Sequence, residues 1–398
     1  MKPLEGVKVV ELGQLIAGPF AGKFFADFGA EVIKIEPPGG DPLRKWRKLH
    51  QGTSLWWYVQ NRNKKSVTAD LRLPEGQEIV RRIANDADVV IENFRPGTLE
   101  KWGLGYERLA ADNPGLVMLR LSGFGQSGPY RDQTGFGAIA ESMGGLRYVT
   151  GFPDRPPVRP NLSIGDALAS LHGVIGVLMA LHHRDTNGGR ISGRGQVVDI
   201  ALYEAVFNMM EGALPEYDLT GEMRERTGSN LTGIVPSNTY LTRDGQHIVI
   251  GANADSIFKR LMHMIGRDDL ADDPSLADNA GRAQRADELD AAISAWTGGL
   301  AAEAVLAALA EAQVPSSKIY SIADIASDAQ YLARDMIRRV KLGDGTALKV
   351  PGVVPKLSDT PGDIDWVGPE LGEHTESVLA AHGYAREEIA ALRARKAV

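Results

Sequence analysis

A chain of 398 residues, 43% of them hydrophobic and 24% charged, exceeds the usual size of one hydrophobic core and has an ordinary globular balance. Its net charge of −7 argues against a nucleic-acid partner, because neutralising phosphates needs a basic face. Cysteine is absent, which excludes disulfides, thiolate catalysis and thiolate-bound metals. The start, MKPLEGVKVVELG, holds no signal-peptide core, and no apolar run is read as long enough to span a membrane. The expectation is a cytoplasmic protein with no membrane partner.

In chain order, VKVVEL (7–12) reads as a short β-branched strand. PFAGKFFADFGA (19–30) reads as a helix, with Pro19 at its start and Gly29 near its end. EVIKIE (31–36) is a strand, PEGQEIVRRIANDA (74–87) a helix and DVVIEN (88–93) a strand. TLEKWGLGYERLAADN (98–113) is helical in parts, and LVMLRLS (116–122) reads as a buried strand. Strands alternating with helices predict an α/β fold, a Rossmann-like large domain with a parallel sheet. A long apolar helix follows in NLSIGDALASLHGVIGVLMALHH (161–183), opening on Asp166 directly after a glycine. The ordinary reading of such an aspartate is an N-cap, which also suits the helix dipole. RDTNGGRISGRGQ (184–196) is a polar turn, and VVDIALYEAVFNMMEGAL (197–214) a strand running into a helix.

The pattern then changes. YLTRDGQHIVIGAN (240–253) sets Asp244-Gly245 between two strand-like runs, a hairpin signal. DSIFKRLMHMIGR (255–267) and the alanine-rich stretch 283–312 read as helices. The division is a large domain at 1–215, a smaller α+β domain at 225–325 and a C-terminal segment at 326–398. That last segment holds two amphipathic helices broken at Gly383.

SGFGQSGPY (122–130) has the spacing G-x-G-x-x-G at Gly123, Gly125 and Gly128. Pro129 and a loop follow where a dinucleotide site needs an opening helix, so that reading is rejected. No Walker-A motif, nucleophile elbow or H-E-x-x-H occurs, and the adjacent His182 and His183 do not share a helix face, so no metal site is expected. Cations gather early in the chain: Arg44, Lys45, Arg47, Lys48, Arg62, Lys64, Lys65, Arg72, Arg95 and Lys101. A solvated face is the plain reading. In an acidic protein they also read as a pocket for an anionic ligand, since Asn93-Phe94-Arg95-Pro96-Gly97 ends a strand where α/β sheets bind ligands.

These pieces together resemble the family III CoA-transferases, the group that includes formyl-CoA:oxalate and carnitine CoA-transferases. The resemblance runs along nearly the whole chain. Its motifs come in order: PLEGVKVVELGQLIAGPFAGKFFADFGAEVIKIEPPGGDPLR, NRNKKSVTADL, IENFRPGTLEKWGLGY, LSGFGQSGPY, GRGQVVDIALYEA and LGEHTESVL. It implies that Asp166 is a covalent nucleophile, working through mixed anhydrides and an aspartyl-CoA thioester. Coenzyme A is then substrate and product, with no permanently bound cofactor. The implied CoA contacts are Ile16, Ala17, Asp70, Leu71, Arg72, Asn93, Phe94, Arg95 and Lys101, with the stretch Thr134, Phe136 and Gly137. Arg72 and Lys101 would meet phosphates. The family fold is an interlocked homodimer of two-domain chains, in which the segment 326–398 returns to the large domain.

Two departures bear on substrate. Ile16 stands where formyl-CoA transferases carry glutamine, and GSNLTGIVPSNTY (228–240) replaces their multi-glycine loop. AESMGGLRYVTGFPDRPPVR (140–159) looks more like members that move CoA from succinyl-CoA to a C4 or C5 dicarboxylic acid. One alternative is an acyl-CoA racemase of the same fold, which uses a His-Asp pair before the long helix. Thr134-Gly135-Phe136-Gly137 has neither residue. Another is a non-catalytic CoA-binding protein, which would bind CoA without exchanging acyl groups.

Overall fold

Six short strands form one parallel sheet in the computed structural model, which describes residues 1–189 and 192–398. They are β1 (Lys8–Glu11), β2 (Glu31–Glu36), β3 (Lys64–Thr68), β4 (Val89–Glu92), β5 (Val117–Ser122) and β6 (Val197–Ala201). Their order is β3-β2-β1-β4-β5-β6, and every neighbouring pair is parallel. The strands alternate along the pleat between two cores. Val10, Ile33, Val67, Val90 and Met118 face one core, while Val9, Val32, Val89, Ile91, Val117 and Leu119 face the other. The order reverses at β1, so the crevice beyond the carboxyl ends of β1 and β4 is the position where such sheets bind ligands.

The helices used below are α1 (Ala17–Asp27), α2 (Pro74–Ala84), α3 (Thr98–Lys101), α4 (Gly137–Met143), α5 (Ile164–Thr186), α6 (Thr375–Ala381) and α7 (Arg386–Ala394). Ile79, Ile83, Val378, Leu379, Ile389 and Leu392, from α2, α6 and α7, fill the first core. The C-terminal segment therefore packs on the parallel sheet. Residues of α1 and α5 fill the second core.

The helix α5 revises the expectation that no run is long enough for a membrane. It has 23 residues and is apolar enough to span one by length and composition. Its small residues give it a different use. A Cβ on Gly173 would lie 2.9 Å from Leu119 Cδ1, and one on Gly176 would lie 2.7 Å from Val198 Cγ1, so the helix backbone presses directly on β5 and β6. Buried Arg184 ties its far end to Asp88 at 2.9 Å.

The chain divides into two compact units. One comprises Met1–Leu146, Pro160–Glu211 and Leu332–Val398, and the other Arg147–Arg159 and Gly212–Tyr331. The second unit is wider than the sequence division at 225–325, taking in 147–159, 212–224 and 326–331. Nonlocal bonds invisible to composition hold the segment 147–159: Gly228 N donates to Gly151 O at 2.9 Å, and Arg226 Nη1 to Tyr148 O at 2.9 Å. This unit carries an antiparallel sheet of β7 (Ser237–Leu241), β8 (His247–Gly251) and β9 (Ser316–Lys318), ordered β9-β8-β7. Its first turn lies at Asp244-Gly245, where Gly245 has φ 76°.

Candidate active site

The stretch after β1 is fixed by side chains from around it. Lys34 Nζ donates to Gly13 O at 2.6 Å. Asn93 closes a pair of bonds with Gln14, accepting from its N–H and donating to its carbonyl, both at 2.8 Å. Leu15 sits at φ 63°, a costly conformation for a branched side chain, and its N–H donates to Asp41 Oδ1 at 3.1 Å. Gln60 Nε2 donates to Ile16 O at 3.0 Å, Ser170 Oγ to Ala17 O at 2.7 Å and Lys64 Nζ to Pro19 O at 2.8 Å.

Most of these side chains are buried, so their own charges need partners. Lys34 pairs with Glu11 at 3.1 Å and Asp41 at 2.9 Å, and Lys64 pairs with Glu11 at 2.7 Å. Burial alone would lower Lys34, yet the Asp41 and Glu11 carboxylates hold it above its ordinary value. Burial wins at Lys64, which is pulled down to about 8.

A second buried network underlies the turn after β4. Glu92 accepts from Phe94 N at 2.7 Å and from Arg120 Nε at 2.8 Å, and Arg120 Nη1 reaches Glu100 on α3 at 2.7 Å. Burial pushes the Glu92 carboxyl up to about 7, against the opposing pull of Arg120. This chain anchors α3, which ends in the exposed Lys101.

Asp166 is not the N-cap of α5. The helix begins at Ile164, its N-cap is Ser163, and Asp166 lies within the first turn. Its carboxylate rests against the first residue of α4. A Cβ on Gly137 would fall 2.1 Å from Asp166 Oδ2 and 2.8 Å from Cγ. Gly165 permits the same approach from the other side, since its Cβ would lie 2.9 Å from Gly137 O. Glu141 is fully buried beneath, with Oε1 3.5 Å from Gly165 N. The partial positive charge of the helix start favours an anion at Asp166.

The other sequence-predicted residues fall at the same carboxyl edge but in different settings. Ile16 and Ala17 are buried at the start of α1. Asp70 and Leu71 follow β3, and Asp70 clamps Arg72 through Nε at 2.9 Å and Nη2 at 2.7 Å. The Arg72 side chain is otherwise 79% exposed, and its bonds hold the Asp70 carboxyl below the usual carboxylate range. Asn93 is the clasp on Gln14, while Phe94 meets Trp102 edge to face at 5.3 Å. Arg95, Lys101, Thr134 and Phe136 are exposed, and Gly137 is buried against Asp166.

The early run of cations separates into two kinds. Arg44 is buried on Glu36 at 2.7 Å, Arg62 on Asp27 at 2.6 Å and Lys64 on Glu11 at 2.7 Å, so these three do not form an anion pocket. A desolvated cation survives only with a fixed partner, which the fold supplies from neighbouring elements. Sequence reading passed over Lys34, Asp41, Gln60, Arg120, Glu141 and Ser170. Polar residues within EVIKIE and after Gly39-Gly40 carried a weak hint, because a charge inside a buried strand needs a purpose. Among the described residues, no group of three or more His, Asp or Glu side chains could hold a metal ion.

A parallel sheet with an aspartate lodged at its ligand-binding edge now meets the comparisons with known proteins. The chain belongs to CoA-transferase family III, whose sequence profile it matches over residues 4–375. It is thus a CoA-transferase, and the transferase expectation stands over the racemase and the non-catalytic alternatives. It is 51% identical to a succinyl-CoA–D-citramalate CoA-transferase of Chloroflexus aurantiacus, with 100% of this chain and 98% of that one aligned. It is 36% identical to a succinate–glutarate CoA-transferase of Agrobacterium fabrum over 95% of each chain. A CAIB/BAIF family protein from Brucella suis has a matching solved structure, with TM-score 0.82, 35% identity, and coverage of 96% of this chain and 99% of that one.

Proposed function

We propose that this enzyme moves CoA from succinyl-CoA to a C4 or C5 dicarboxylic acid, with Asp166 as covalent nucleophile. The observation that carries the proposal is the Asp166 carboxylate lodged against Gly137, in a helix turn tied through Ser170 to Ala17. The names of the Chloroflexus and Agrobacterium relatives support the substrate class.

Asp166 attacks the thioester carbonyl of the donor, forming a mixed anhydride and releasing CoA thiolate. The thiolate attacks the aspartyl carbonyl, giving an aspartyl-CoA thioester and free succinate. The acceptor carboxylate attacks that thioester, forming a second anhydride and again releasing thiolate. Thiolate attack on the acceptor's carbonyl yields the new acyl-CoA and restores Asp166. Each step exchanges one carboxylate for one thiolate, so no general base is required. Backbone N–H groups of the glycine-containing stretches at the sheet edge stabilise the oxyanions, and excluding water protects the anhydrides.

Arg72 and Lys101, with Arg95 between them in sequence, meet the CoA phosphates. Leu71, Phe94 and the backbone at Asp70 and Asn93 serve the nucleotide end, while Ile16, Ala17, Thr134, Phe136 and Gly137 flank the thiol end. The working form is an interlocked homodimer. Its support within one chain is the apolar face that α5 turns away from the sheet, where Leu171, Ile175, Leu178 and Met179 stay exposed.

The test is CoA exchange from succinyl-CoA to a panel of dicarboxylic and monocarboxylic acids, followed by chromatography of the CoA esters. Transfer to C4 or C5 dicarboxylates is expected. Transfer confined to formate, oxalate or other acids would overturn the substrate assignment.

A further inference from the structure

We propose that Ser170 is a positioning residue that locks the stretch Gly13–Pro19 to the helical turn carrying Asp166. The proposal rests on the reading of Asp166 as nucleophile. Ser170 lies one turn after Asp166 on α5 and is fully buried. Its Oγ is 2.7 Å from Asp166 O and 2.7 Å from Ala17 O. The first contact is what a helical serine ordinarily makes to the carbonyl four residues back. The second reaches another helix, and it lands on the first residue of α1.

The neighbouring contacts give this bond its significance. Lys34, Asn93, Asp41, Gln60 and Lys64 hold the backbone groups of Gly13, Gln14, Leu15, Ile16 and Pro19. Lys34 and Lys64 lie on strands, Asp41 and Asn93 in loops and Gln60 at the end of the short helix Leu55–Gln60; none of the five belongs to α5. Ala17 is bound by the helix that bears the nucleophile. Ser170 thus sets the spacing between the Ile16–Ala17 backbone, beside which the thioester reacts, and the attacking carboxylate. A carboxylate displaced by a fraction of an ångström loses its aligned approach to the carbonyl carbon. The nucleotide end of CoA, held near Arg72 and Lys101, does not depend on this bond.

Ser170→Ala removes one oxygen from a buried place and leaves the two carbonyls without the hydroxyl. The measurement is single-turnover formation of the Asp166 adduct from succinyl-CoA, trapped with hydroxylamine, beside steady-state kcat and KM. Adduct formation and kcat should both fall about tenfold, the size expected for one lost hydrogen bond at a reacting geometry, while KM for succinyl-CoA stays within about twofold. Ser170→Cys fills the place with a slightly larger, weaker donor and should give an intermediate rate, which preserves the test if the alanine variant folds poorly. Unchanged adduct formation in a folded Ser170→Ala protein would overturn the proposal, as would a raised KM with unchanged kcat. Wild-type enzyme that turns over without any adduct on Asp166 would instead overturn the nucleophile reading and this proposal with it.

Discussion

The stretch Gly13–Pro19 and the edge formed by Arg72, Arg95 and Lys101 lie at the same end of one sheet yet are built in opposite ways. Buried lysines, carboxylates and amides hold the first by its backbone. The second offers exposed cations, with Arg72 79% exposed and Arg95 and Lys101 exposed as well. The difference matches the two tasks proposed for them. A reacting carbonyl needs groups fixed before it arrives, because geometry acts directly on the barrier. A phosphate tail needs only accessible charge, which remains effective while hydrated and mobile.

That contrast can be broken most forcefully at Lys34. Lys34→Met leaves Glu11 and Asp41 buried without their shared cation, and unfolding in urea should show a loss of about 3–5 kcal/mol. Lys101→Ala, on the exposed edge, should fall within about 0.5 kcal/mol of wild type in the same experiment. Comparable losses in both would erase the distinction.

Next in size is Gly137→Ala. Its methyl would occupy the place of the Asp166 carboxylate, 2.1 Å from Oδ2, and the flexible side chain would swing aside. Steady-state kinetics should show kcat reduced on the order of a hundredfold, with an unchanged melting curve. Smaller effects belong to Arg72→Ala and Lys101→Ala, each expected to raise the KM for the CoA ester about three- to tenfold while kcat holds, as for contacts to parts of the ligand that do not react.

The smallest effect concerns pH. Glu92 titrates near 7 in the folded protein against 4.5 for an ordinary glutamate. Between those values the folded state keeps a proton that the unfolded state has lost, so this group's contribution to stability declines as pH rises from about 4.5 to about 7. Glu92→Gln should flatten that part of the stability profile measured by urea unfolding at stepped pH.

Much of the frame was legible in the sequence, because apolar periodicity is a local signal. The strand EVIKIE occupies residues 31–36 as read, the hairpin turns at Asp244-Gly245, and the C-terminal helices break at Gly383. The strand KKSVT at 64–68 escaped notice because two lysines open it, and only the folded partner Glu11 makes Lys64 tolerable there. The site was less legible. Gly165-Asp166 alone reads as a helix cap, and resemblance to a family supplied its other meaning. The contact with Gly137 joins residues 29 apart across two helices, and the bond from Ser170 to Ala17 spans 153 positions. No pattern along the chain encodes such pairings.

The central claim is that Asp166 becomes acylated. Peptide mass spectrometry after mixing the enzyme with succinyl-CoA and quenching with hydroxylamine tests it directly. The account predicts a hydroxamate on the peptide containing Asp166, absent when CoA alone is added and absent in Asp166→Ala, which should also have lost transfer. Full transfer activity with no modification at Asp166, or retained turnover in Asp166→Ala, would contradict it.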